Sequence, residues 1–247
     1  MVRGLYIAAN SLLVQEACHD TIATNLANVS TPGYRRAVTS VESFPALLAR
    51  TASQPGAAVP HSEQAVPHLA ARQTTDFAPG AQQPTGNPCD LALDGPGFFV
   101  VQTPSGEAYT RSGAFTLDPE GYIVTPAGRQ LLGEAGAIKV TGRSWSVSPR
   151  GEVISDGAVV DRIRVVDFEA AGALSRLGDN LFSAGRAAPV AKESFSIRQG
   201  YIEGSNVNAV SEMVNMIAAM RAFEANQKMI QAMDQTLDRA VNEVGRV

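Results

Sequence analysis

Three histidines, two cysteines and a scatter of carboxylates are the reactive side chains of this 247-residue sequence. Cys18 and Cys89 lie far apart, with no CxxC spacing and no neighbouring histidine pair. They suggest neither a disulfide framework nor a zinc site. His61 and His68 fall in a Pro/Ala/Gln-rich segment and His19 on a helix-like stretch, which fits solvated or packed imidazoles rather than ligands. The glycine-rich run Asp94-Gly95-Pro96-Gly97 is a lone GxG followed by Phe98-Phe99-Val100-Val101. That is a strand pattern, whereas a dinucleotide loop must open a helix. No GxSxG, HExxH or P-loop occurs, and no histidine falls between residues 89 and 199 to act as a base. The expectation is a protein that is not an enzyme, with no catalytic residue, cofactor or metal.

Composition narrows the classes further. The chain carries 20 Lys+Arg against 24 Asp+Glu, a net charge of −4, so a general nucleic-acid partner is not expected. With no apolar stretch of spanning length, membrane insertion is not expected either. No small-molecule substrate is expected. Hydrophobic residues make up 45% of the chain, enough for a real core. The start, MVRGLYIAANSLLV, loosely resembles a signal peptide, but Asn10 and Ser11 interrupt it and Gln15-Glu16-Ala17 makes a poor cleavage site. An apolar period continues through that point, so the segment reads as mature structure.

Both ends of the chain have helical periodicity. Leu5, Leu12, His19 and Leu26 are spaced by seven, with Ala8, Ile22 and Val29 three residues after members of that series. This predicts a helix from about 4 to 28, ended by Ser30-Thr31-Pro32-Gly33. Towards the other end Met216, Phe223, Ile230, Leu237 and Val244 are spaced by seven, flanked by Met213, Met220, Met233, Ala240 and Val241. Ser205 or Asn208 can cap that helix, and Glu212 suits its first turn. Both helices are poor in charge. Residues 1–33 contain only Arg3, Glu16 and Asp20, and residues 206–233 only Glu212, Arg221, Glu224 and Lys228. A two-stranded coiled coil in water normally carries charged flanking positions. The neutral outer faces therefore imply burial against neighbouring copies. Arg221 and Glu224 would then bridge subunits, or else form a solvated pair on one helix.

Between the helices the pattern changes. Residues 50–88 hold six of the 14 prolines and read as an extended connector. From Asp90 onward short apolar runs alternate with four turns of one design: Thr103-Pro104-Ser105-Gly106, Asp118-Pro119-Glu120-Gly121, Thr125-Pro126-Ala127-Gly128 and Ser148-Pro149-Arg150-Gly151. Proline presets the second position of a type I turn, the first side chain can cap it, and glycine tolerates the exit. The runs predict strands at Phe98–Gln102, Ala108–Arg111, Ala114–Leu117, Tyr122–Thr125, Arg129–Leu132, Ile138–Val140, Ser144–Val147, Glu152–Ile154 and Ala158–Phe168. The expected fold is α+β, with long N- and C-terminal α-helices forming a coiled-coil stem and a central, mostly antiparallel β domain. Its expected divisions are 1–38 (helix and turn), 39–88 (connector), 89–199 (β domain) and 200–247 (helix).

Three blocks carry a resemblance to the bacterial flagellar rod, hook and hook-associated axial family. Residues 25–36, NLANVSTPGYRR, resemble its N-terminal signature, and residues 93–122, LDGPGFFVVQTPSGEAYTRSGAFTLDPEGY, its central one. Residues 199–230, QGYIEGSNVNAVSEMVNMIAAMRAFEANQKMI, resemble its C-terminal signature. The departures are small: Tyr34 stands where Phe is commoner, and His19 lies on the helical seam. A single β domain in 247 residues resembles the basal-body rod members, either at the proximal–distal junction or in the distal rod. The connector at 45–88 and the run Gly133-Glu134-Ala135-Gly136-Ala137-Ile138 favour the junction.

The resemblance implies a structural subunit that self-assembles through its terminal helices into a torque-transmitting tube across the periplasm. Its implied partners are other copies of itself, other flagellar rod proteins and the flagellar export apparatus. Export without a cleaved signal peptide is implied as well. Leu5, Leu12, Ile22, Leu26 and Val29 are expected to pack with Met213, Met216, Met220, Phe223, Ile230 and Leu237, between subunits or within one. Asn25, Asn28, Thr31, Pro32, Gly33 and Tyr34 form the helix-end motif, and Asn206, Asn208, Asn215 and Asn226 join Asn25 and Asn28 as capping or inter-helix residues. The rival architecture is a secreted or phage-tail-like adhesin with a β head on a coiled-coil stalk. That design usually places a helix at one end, whereas heptads here occupy both.

Overall fold

A computed structural model describes residues 2–43, 69–142, 144–169, 171–185, 187–191 and 195–244. Most of the expected connector, with His61 and His68, lies outside the described residues, as do the side chains of Leu5, Leu237, Ala240, Val241 and Val244. The chain divides into two compact units.

The first unit comprises residues 1–27, 37–74 and 208–247. It contains helix α1 (Val2–Ala27), the paired strands β1 (Ala37–Ser43) and β2 (Leu69–Thr75), and helix α2 (Ala209–Val244). Helix α1 packs along α2 and against β1. Asn208 caps α2: its side-chain oxygen accepts the Ser211 amide at 3.0 Å and its carbonyl accepts the Glu212 amide at 3.0 Å.

The expected coiled-coil stem is not what the helices form. A coiled coil buries a seven-residue seam on both partners. The described buried side chains of α1 are Ala8, Val14, Thr21 and Asn25, of which only Ala8 belongs to the expected seam. Leu12, Ile22 and Leu26 are half-buried. On α2, Met216 and Ile230 are half-buried while Met213 and Met220 are 47% and 51% exposed. The physical reason is the β hairpin. Thr21 shares a hydroxyl–hydroxyl hydrogen bond of 2.6 Å with Thr39 of β1. The Asn25 amide donates to the Ala37 carbonyl and accepts from the Ala37 amide, both at 2.8 Å. A helix with two neighbours turns a wider face inward, and a single heptad seam no longer describes what it buries.

The second unit comprises residues 28–36 and 75–207. Its strands are β3 (Gln82–Pro84), β4 (Leu91–Asp94), β5 (Phe98–Thr103), β6 (Gly106–Thr110), β7 (Thr116–Leu117), β8 (Ile123–Val124), β9 (Trp145–Val147), β10 (Glu152–Ser155), β11 (Ala158–Arg162), β12 (Val165–Asp167), β13 (Ser175–Gly178), β14 (Leu181–Ser183), β15 (Val190–Ala191), β16 (Ser196–Gln199) and β17 (Tyr201–Glu203). The main sheet runs β13-β14-β6-β5-β12-β15, a second runs β11-β10-β9, and β16-β4, β17-β3 and β7-β8 pair separately. The pairs within this unit are antiparallel.

Strand β5 explains how one sheet supports two cores. Phe99 and Val101 point into a core with Leu91, Leu93, Phe115 and Ile123, and Phe98 and Val100 into another with Tyr109, Phe168 and Phe182. A continuous apolar run suits a strand covered on both faces. The four turns close as the sequence predicts. Gly106, Gly121, Gly128 and Gly151 all have positive φ, from 75° to 117°. Asp118, Thr125 and Ser148 each accept, through the side chain, the amide four residues on, at 2.7, 3.1 and 3.1 Å.

Two expected strands dissolve into single bridges. Leu131 pairs with Val101, Leu132 with Ala137 and Lys139 with Tyr122, so 129–132 and 138–140 form no continuous ladder. The run 158–168 is also broken: Ile163, fully buried, bridges to Gly133 between β11 and β12, which belong to different sheets.

Candidate interaction surface

The helix-end motif starts where α1 stops. The Thr31 amide donates to the Asn28 carbonyl at 3.2 Å and its hydroxyl to the Asn28 side chain at 3.1 Å. Pro32 accepts from the Asn180 amide at 3.2 Å. Gly33 has φ +68°, and a Cβ there would collide with the backbone of Ser112. Only glycine combines that conformation with so close an approach. Tyr34 is buried, with the Arg176 guanidinium 4.9 Å above its ring.

That turn delivers Arg35 to a buried charge cluster in the second unit. Glu203, at the end of β17, is 1% exposed. Its carboxylate accepts from Arg35 Nη2 at 2.7 Å, Arg111 Nε at 2.5 Å and the Gly80 amide at 2.8 Å. Its carbonyl accepts the Gly33 amide at 2.7 Å. Arg111 also donates to the carbonyls of Leu93, Gly95 and Gly97 at 2.9, 2.5 and 2.6 Å. The glycine-rich turn after β4 thus cradles a cation. Beside it, Asn206 accepts the Arg36 amide at 2.6 Å and donates to the carbonyls of Asp76 and Ala78 at 2.9 and 3.0 Å.

Burial pushes Arg35 below the usual arginine value and nearby Arg111 adds to this, while Glu203 opposes both. The nitrogens Nε and Nη1 of Arg35 have no acceptor among the described residues. A cleft of about 500 Å³ lies above this cluster, bordered by Gly80, Gly95, Phe98 and Arg111. The carboxylate and Arg111 on its floor already bond to each other, so it presents no free constellation for chemistry.

Sequence reasoning missed Arg35, Arg111 and Glu203. All three stand inside the recognised blocks, as GYRR, YTRSG and YIEGS, and the cluster is where those blocks meet. A charge set among glycines and aromatics was the available signal. Among the described residues no three His, Cys, Asp or Glu side chains are grouped to hold a metal. Burial raises both thiols, and at Cys89 the Asp90 carboxylate adds to the shift.

In the first unit the expected packing residues separate. Phe223 and Met220 border a cleft of about 530 Å³ between the helices, with Gln15, Glu16, His19 and Glu224. Asn226 crosses from α2 to α1, donating to the Ser11 hydroxyl at 3.1 Å. Leu12, Ile22, Leu26, Met216 and Ile230 are half-buried, and so is Val29 in the turn after α1. Val210, Val214 and Ile217 stand on the outside of α2, the last two 59% and 53% exposed. A contiguous exposed apolar row of this kind is larger than the scattered apolar side chains of an ordinary helix surface and is a candidate interaction surface. No described helix is long and apolar enough to cross a membrane.

Comparison with known proteins agrees with this organisation. Residues 92–155 match the family described as the flagellar hook protein FlgE/F/G D1 domain, and residues 198–243 the flagellar basal body rod FlgEFG protein C-terminal family. The chain is 33% identical to the flagellar basal-body rod protein FlgG of Buchnera aphidicola, over 97% of this chain and 98% of that one. It is 32% identical to FlgF of Caulobacter vibrioides over the full length of both. With FlgF of Escherichia coli K12 the identity is 35%, over 94% and 93%. End-to-end similarity at this level, through the three blocks that build the buried cluster, makes this chain a member of the flagellar basal-body rod protein family, whose members are structural and not enzymes.

Proposed function

We propose that the chain builds the rod by self-association through α1 and α2, forming part of a tube that crosses the periplasm and transmits torque. The observation that carries this reading is the uncovered apolar row of α2, which no other part of the same chain occupies among the described residues. A repeated heterologous contact that does not close makes a filament. Dense apolar packing between helices then transmits strain rather than absorbing it. The terminal segments 1–38 and 200–247 serve assembly, and the β region between them adds lateral contacts. Other rod proteins and the flagellar export apparatus are the remaining partners. Within the rod the chain takes the proximal–distal junction, a position supported by the connector and by the tight Gly133–Gly136 turn (2.7 Å). Its rival is the distal rod.

Basal bodies from cells carrying Phe223→Asp test both levels. The expected result is a rod that stops at the proximal–distal junction, lost motility, and a purified variant whose β region still melts cooperatively. Normal motility would overturn assembly through α2. A rod that extends one stage further before stopping would assign the chain to the distal rod.

A further inference from the structure

The chain passes between its two units at 27/28, 36/37, 74/75 and 207/208. Within the second unit, the residues beside the last three of these passages are bonded to one another, and Asn206 makes the junction. Its side-chain oxygen accepts the Arg36 amide at 2.6 Å, and its side-chain nitrogen donates to the carbonyls of Asp76 and Ala78 at 2.9 and 3.0 Å. Its backbone amide donates to the Tyr34 carbonyl at 3.3 Å. The segments also bond directly. The Asp76 amide donates to the Arg36 carbonyl at 2.8 Å, and the Gly204 amide to the Ala81 carbonyl at 2.8 Å. Residues 33–36, 76–81 and 203–206 are thus one bonded bundle, tied again where Glu203 accepts from Arg35 and from the Gly80 amide.

Asparagine suits this junction because it carries an acceptor and two donor hydrogens on a short stem, whereas aspartate offers acceptors only. An unbonded peptide segment turns about two soft dihedrals at every residue, so a single strand passes twist poorly. Segments bonded to one another cannot turn independently, and a load on one is shared by all. Resting on the torque-transmitting reading above, we propose that Asn206 is a mechanical clamp. It joins the three segments that lead into and out of the helical unit into one load-sharing connection. Asn206 belongs to neither core of the β unit, so its loss frees these segments without unfolding that unit.

Two variants test this. Asn206→Ala removes all three side-chain bonds. Asn206→Asp keeps the acceptor for Arg36 and turns a carboxylate oxygen towards the Asp76 and Ala78 carbonyls. Hydrogen exchange on the purified full-length chain reads the clamp directly. The Arg36 amide should exchange about tenfold or more faster in Asn206→Ala, and near the wild-type rate in Asn206→Asp. The Asp76 amide should exchange faster in both, with β5 and β6 protected as before. In cells, both variants should build rods of wild-type length and swim normally in dilute medium. In medium thickened with methylcellulose, where the motor works against a higher load, they should slow more than the wild type does. Wild-type exchange at Arg36 and Asp76 would overturn the clamp, and lost protection in β5 and β6 would make Asn206 a folding residue instead. Faster exchange with undiminished swimming in thick medium would overturn the load-bearing role. Short or absent rods would overturn it too, because Asn206 would then serve building rather than load. Cells lacking the chain that swim under load like the wild type would overturn the torque reading itself, and the exchange rates would still report whether the clamp forms.

Discussion

Glu203 holds a carboxylate between two guanidinium groups where solvent barely reaches, and the cost of that burial is met by bonds on every side. Its value to the molecule is one of registration. The turn after α1, the turn after β4, the end of β6 and the approach to α2 all place a donor or acceptor on this cluster. Removing the negative charge leaves two buried cations facing each other. Glu203→Gln should therefore lower the unfolding free energy by about 3–5 kcal/mol, measured by urea denaturation. A loss no larger than that of an exposed substitution such as Glu120→Gln would mean that the charge is not needed there. The residues of this cluster were present in the recognised blocks but not identified as a unit. Sequence shows that Arg35, Arg111 and Glu203 are charged; only the fold shows that glycines on either side let three distant backbones close around them.

At the scale of elements, the four Pro/Gly turns were legible because their chemistry is local. Proline at the second position and glycine at the fourth suffice to fix the exit geometry, whatever surrounds them. The helices were legible as helices for the same reason. Their packing was not, since which face is buried depends on partners distant in sequence, and β1 draws Thr21 and Asn25 inward where a heptad would have placed Ile22 and Leu26. Asn25 fastens α1 to β1 with one donor and one acceptor, as a strand neighbour does. Asn25→Leu keeps the branched shape but leaves the amide and carbonyl of Ala37 unsatisfied, a cost of about 1–3 kcal/mol. Hydrogen exchange should show faster exchange at Ala37 and along β1, with protection in β5 and β6 unchanged. Unaltered protection of β1 would mean that this strand is held by other contacts.

On the scale of the whole molecule, charge and hydrophobicity are distributed unequally between the two units. The β unit encloses two dense cores, and among the described residues its buried side-chain polar atoms are bonded apart from a few guanidinium nitrogens. The helical unit leaves Leu13, Val210, Val214 and Ile217 in water and offers few charged pairs to compensate. Helices draw most of their stability from tertiary packing of an apolar face, so a unit that leaves these apolar side chains uncovered is expected to be the less stable of the two. The helices comprise 26 and 36 residues, enough for their order to dominate a far-ultraviolet circular dichroism spectrum. A dilute chain should therefore give a spectrum poor in helix and rich in β structure. Raising the concentration through the assembly range should increase the helical signal in step with light scattering, because each added copy covers what the previous one exposed. The near-ultraviolet signal of Trp145, packed against the β core, should stay constant throughout. Full helical signal in a dilute monomer would show that the neutral helices need no neighbour to order them, and that their bare apolar faces serve only to join subunits already formed.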